Sequence, residues 1–158
     1  MSDRWVFVTA FLTVVLIIAG AFAIPEYFVF ELLKSLIYVA IAVMVFFGED
    51  QYSYMLGIVA PPLWFILNIL LGGFFSEFRV LWNFITLQPL PKVATPLHGL
   101  AILLGIVLVI LSARVWRKQV PQPFLGKTFG VCLVISLAYI GILAGWYFQA
   151  IPRGAGIP

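Results

Sequence analysis

"EYFVFELLKSLIYVAIAVMVFFGED", Glu26 to Asp50, is the stretch on which the fold turns. It is apolar almost throughout, yet Glu31 and Lys34 lie inside it, three residues apart. The thirteen residues from Ser35 to Phe47 rise only about 20 Å as a helix, against a hydrocarbon core of about 30 Å. A membrane-spanning helix here must therefore recruit Tyr27 to Lys34. That places Lys34 roughly one to two turns below the surface, within snorkelling reach, with Glu31 close to the interface. At i, i+3 the two share a helix face and can neutralise each other. The expectation is a structural ion pair or partner contact rather than a proton path.

The rest of the chain repeats the pattern. Of 158 residues, 64% are hydrophobic and 9% charged, and mean hydropathy is +1.15. A soluble domain carries about 25% charged residues, so this chain cannot cover a water-facing surface. The composition implies an all-α, polytopic integral membrane protein, a bundle of about five transmembrane helices forming a single membrane domain. Its localisation is expected to be the cell (inner) membrane. The net charge of +3 comes from scattered bases, which suits topology and contact with anionic lipid rather than nucleic acid. Membrane lipid and other membrane protein subunits are the expected partners.

Five runs reach spanning length: residues 5–23, 26–47, 52–75, 96–113 and 128–151. Ala21-Phe22-Ala23 fits a signal-cleavage pattern, but the apolar run is longer than a signal core, so a retained first span is expected. Residues 76–95 form an interfacial amphipathic segment: Ser76 can cap a helix with Glu77 in its first turn, and Phe78, Leu81, Trp82 and Ile85 make one greasy side. Arg114, Arg117, Lys118 and Lys127 form the densest basic loop. That predicts a cytoplasmic loop, a cytoplasmic N-terminus and a C-terminus outside.

Few residues carry chemistry. His98 is the only histidine and Cys132 the only cysteine. A bis-His haem, an Fe-S cluster, an intrachain disulfide and a two-cysteine redox motif are therefore excluded within the chain. A single imidazole can ligate a chlorophyll-type ring or hydrogen-bond a quinone, with Gly99 leaving room for a flat ligand. The plainer reading, favoured here, is an interfacial histidine facing water. Pro61-Pro62 in the third span predicts a helix kink or break. Freed backbone groups there, with Trp64 and Asn68 one turn apart, could line a transporter site. The favoured alternative is a kink repaired by neighbours, with Asn68 bonding across an interface. Ala101-x-x-x-Gly105 and Gly141-x-x-x-Gly145 are small-residue helix-packing stripes.

No catalytic or metal motif appears, and no polar groups visibly converge at one depth. The expected function is a non-catalytic small subunit of a larger membrane assembly, able to hold lipid, carotenoid, chlorophyll-type pigment or quinone. The alternative is a small transporter or channel built around Pro61-Pro62. A weaker alternative is a lipid-modifying membrane enzyme relying on His98 or Glu31.

Overall fold

The computed structural model describes residues 2–90, 95–121 and 123–150. The described chain is all-helical: α1 (Ser2–Ala23), a 3-10 turn (Pro25–Tyr27), α2 (Phe28–Phe47), α3 (Asp50–Leu70), α4 (Gly73–Ile85), α5 (Pro96–Gln119) and α6 (Lys127–Ala150). Among the described residues, five helices are long and apolar enough to cross a membrane. They fit an integral membrane protein, as the composition requires.

Local chemistry sets the boundaries. Gly48 closes α2 in the left-handed region, φ +79°. The Glu49 N–H then donates to the Met44 carbonyl at 2.9 Å and the Gly48 N–H to Val45 at 3.3 Å, so orphan carbonyls are satisfied. Gly72, φ +75°, does the same after α3. The third span was expected to continue to Phe75. The glycine turns the chain there instead, and Gly73–Phe75 open α4. Ser76 is consequently inside α4 rather than its cap, which is Gly72. At α5, Thr95 is the N-cap, its hydroxyl accepting from the Leu97 N–H at 3.3 Å, with Pro96 pre-set at the first helical position. The helix continues beyond Ala113 to Gln119, carrying Arg117 and Lys118 in its last turn where the dipole favours cations.

The expected break at Pro61-Pro62 is not an interruption. α3 stays one helix through both prolines. Pro61 is fully buried, and the missing N–H groups are accommodated inside the packed bundle.

α1, α2, α3 and α5 form a closed ring in which α1 packs on α2 and α5, and α3 on α2 and α5. The core runs along its axis, with Val6, Ala10, Ile41, Tyr54, Met55 and Leu108 at no exposure. α6 lies outside the ring against α3 and, more lightly, α2. α4 lies across one end, against α5 and α3. Of its expected greasy side, Leu81 is buried, with Val80, against the bundle, whereas Trp82 and Ile85 point outward. Gly99 makes the close approach possible: a β-carbon there would lie 2.9 Å from Leu81 Cβ and 3.0 Å from the Glu77 carbonyl oxygen. The space above Gly99 thus belongs to α4 and not to a flat ligand. Ala101 is buried, and Gly105 lies under the Phe65 ring. Gly141 and Gly145 meet nothing within 4 Å.

The opposite end is clasped by polar groups. Buried Tyr54 donates to Asp3 Oδ1 at 2.9 Å, and Gln119 Nε2 donates to the same oxygen at 2.9 Å. One carboxylate thereby joins α1, α3 and α5. Tyr54→Phe should cost about 1.5–3 kcal/mol, the range for a hydrogen bond to a charged group. It should appear as a lower melting temperature in detergent. An unchanged melting temperature would show that the clasp does not stabilise the bundle.

A candidate ligand chamber beneath the interfacial helix

The polar residues singled out one by one in the sequence meet in one place. Glu31 and Lys34 come from the first two turns of α2, Trp64 and Asn68 from the last two of α3, and His98 from the first turn of α5. All line one cavity of about 190 Å³, with Glu77 of α4 as an additional wall. The helix ends dictate this meeting. α2 and α5 start, and α1 and α3 finish, at the end of the ring that α4 covers.

Lys34 is the centre of the cluster. Its Nζ is 2.6 Å from Glu31 Oε2 and 2.8 Å from Oε1, and it sits 5.6 Å from the centre of the Trp64 ring. Glu31 and Lys34 are only 5% and 7% exposed. Lys34 therefore does not snorkel to water as its depth suggested. It turns inward because a carboxylate and an aromatic face replace its hydration. The Trp64 ring is itself fixed by Phe30, 6.1 Å away, and Phe30 stacks on Trp146 of α6 at 6.0 Å.

His98 is inside as well, so its water-facing reading does not hold: the side chain is 11% exposed, with Nε2 3.4 Å from Glu31 Oε2. At that distance the two side chains touch without hydrogen-bond geometry, and Nε2 keeps bonding capacity. Gly20 of α1 supplies the room, because a β-carbon there would lie 2.6 Å from His98 Nε2. Any larger residue would push the imidazole away from its partner.

Glu77 was read as a first-turn charge on an interfacial helix, and its role in the chamber went unseen. Phe74, Val80 and Leu81 share its face at i−3, i+3 and i+4, an acid within an apolar stripe, and that was the available signal. Burial pushes its carboxyl above the ordinary value of 4.5; Lys34 pulls it down, Glu31 raises it further and Asn68 lowers it, and burial prevails. Asn68 is 7% exposed. Its amide leans on the Glu77 carboxyl, but Nδ2 does not reach full hydrogen-bond geometry with any group. Its carbonyl oxygen fits against Gly73, where a β-carbon would come within 2.4 Å.

The chamber thus joins two carboxyls, one ammonium, one imidazole and one amide with incomplete bonding. Among the described residues no group of acids, histidine and cysteine is arranged to hold a metal ion. Tyr27 and Leu71 mark the rim, both partly open to the surroundings at 44% and 38% exposure. Comparison with known protein families, curated proteins and solved structures finds no match.

The raised Glu77 carboxyl has a stability consequence. Below pH 4.5 folded and unfolded chains are both protonated and Glu77 contributes nothing. Above 4.5 the unfolded chain ionises first, so stability falls with pH until the folded carboxyl ionises too. The melting temperature of the wild type should decline over that window, and Glu77→Gln should flatten the decline. Identical pH profiles for the two proteins would show that Glu77 is not held protonated by burial.

Proposed function

We propose that the protein is a non-catalytic membrane transport protein whose solute site is the chamber under α4. One observation supports this above all: Glu31, Lys34, Asn68, Glu77 and His98, from four helices, share one buried cavity. Burying each ion costs several kcal/mol even after relaxation. A helix bundle that served only as scaffold has no use for such a cluster, and intramembrane ionisable groups mark solute and proton pathways. Among the described residues the cavity wall holds acids, an amine and an imidazole, but no serine, threonine or cysteine, which favours binding and proton exchange over covalent catalysis. The site lies one turn beyond the prolines, which act by shaping α3 rather than by opening it. By the lysine and arginine bias, the chamber faces outside and the N-terminus is cytoplasmic, in the cell membrane.

A second reading, an accessory subunit of a membrane assembly, draws on α6. Its outer face carries Val134, Leu137 and Ile142, all more than half exposed, with open space at Gly141 and Gly145. Bound carotenoid, chlorophyll-type pigment or quinone belongs to this reading. Gentle solubilisation followed by native mass spectrometry separates the two, since a subunit retains larger protein partners.

Transport is tested in proteoliposomes holding an imposed pH gradient and challenged in turn with sodium, potassium, ethanolamine and choline salts. At least one cation should collapse the gradient faster than in protein-free vesicles. Lys34→Met and Glu31→Gln proteins that elute normally on gel filtration should lose at least tenfold in that rate. A wild type that leaves the gradient intact with every cation contradicts the proposal.

A further inference from the structure

The chamber's charges do not balance by themselves. Lys34 and Glu31 form a neutral pair at 2.6 Å. Glu77 lines the same cavity and faces the same ammonium, so among the described residues the second carboxyl has no cation of its own. It must carry either a proton or a second positive charge. Lys34 shows which kind of cation the walls accept: an ammonium, held by a carboxylate and the face of Trp64. Tyr27 and Phe30 add two more rings to the cavity lining, and aromatic faces with an acid are the general means of holding organic ammonium groups.

A second observation, on the amide of Asn68, points to a ligand. Asn68 is 93% buried, its exposure being 7%, lines the cavity, and leaves Nδ2 without a full hydrogen bond. A buried N–H donor on the cavity wall that meets the Glu77 carboxyl only in part calls for an oxygen acceptor. At about 190 Å³ the space is below the roughly 300–1,000 Å³ of drug-sized ligand pockets. It suits a group of a few heavy atoms.

We infer that the chamber binds an organic ammonium bearing a nearby oxygen, with Glu77 giving up its proton as the cation enters. The exchange balances: the Glu77 O–H bond breaks, the proton leaves to solvent, and the carboxylate takes the cation as its counter-ion, with the aromatic rings around it and Asn68 Nδ2 donating to the ligand oxygen. The groups facing Glu77 are Lys34, Glu31 and Tyr38 from α2, Asn68 from α3 and His98 from α5. Glu31 is already committed to Lys34, which leaves Glu77 as the exchanging acid. The ammonium can belong to a free amino alcohol or to a phospholipid head group, since α4 lies at the membrane boundary and the rim is open at Tyr27. This assignment rests on the chamber being a solute site, but binding and transport fail separately.

The test is calorimetry on the full chain in phosphatidylglycerol nanodiscs, which contain no choline. Choline chloride is titrated in two buffers of different ionisation enthalpy, so that released protons are counted. About one proton per bound choline is expected at acidic pH, with affinity rising about tenfold per pH unit while Glu77 remains protonated. Glu77→Gln should abolish release and weaken binding at least tenfold, and Glu77→Asp should retain release. A parallel arm adds short-chain phosphatidylcholine: release by this lipid alone identifies the head group, and release by free choline identifies the solute. No release in either arm, equal release by sodium chloride, or release that His98→Gln removes and Glu77→Gln retains each overturns the assignment. Proton-linked binding without vesicle flux would leave it standing and remove only the transport proposal.

Discussion

A buried ammonium needs its hydration replaced, and Lys34 finds the replacement in three directions. Glu31 is one helical turn back on the same helix, Trp64 comes from the neighbouring α3, and Glu77 reaches in from α4. A lysine left without such partners in a span would cost several kcal/mol. The relative placement of α2, α3 and α4 at this end of the bundle therefore depends on satisfying one charge. The Phe30–Trp64 and Phe30–Trp146 contacts extend the constraint to α6.

Small residues make the arrangement possible. Gly20 admits the His98 ring, Gly99 admits α4, and Gly73 admits the Asn68 side chain. Each removes a β-carbon where a polar group or a helix must come close, as is common in membrane bundles. The opposite end is built otherwise, by the Asp3–Tyr54–Gln119 clasp, in which two donors share one carboxylate oxygen. The two ends thus differ in the groups that hold them: a neutral-and-acid clasp at one, a buried ion cluster at the other.

Composition and run length were enough to read the five spans, because a membrane imposes one crude requirement on every crossing helix. Their ends were less legible. Gly72 turned the chain inside a run whose hydropathy continued to Phe75, and the left-handed conformation of a single glycine leaves no hydropathy signal. The members of the chamber were visible as residue types: Glu31, Lys34, Trp64, Asn68 and His98 each drew notice. Their meeting was not visible, since it depends on which helix ends lie side by side. Depth alone favours snorkelling for Lys34 and water for His98, because depth takes no account of the covering helix α4. Glu77 was masked by a sufficient bland explanation, the stabilisation of a helix N-terminus by an acid.

Convergence of these groups is the claim on which everything else rests, and the single histidine makes it directly measurable. Solid-state NMR on protein in lipid, with histidine labelled in nitrogen and glutamate in carbon, reports which carboxyls lie against the His98 imidazole. The account predicts a short-range contact from the His98 ring to the Glu31 carboxyl, lost in Glu31→Gln, with the ring shielded from exchange with water. A His98 ring that contacts water and no glutamate carboxyl would contradict it.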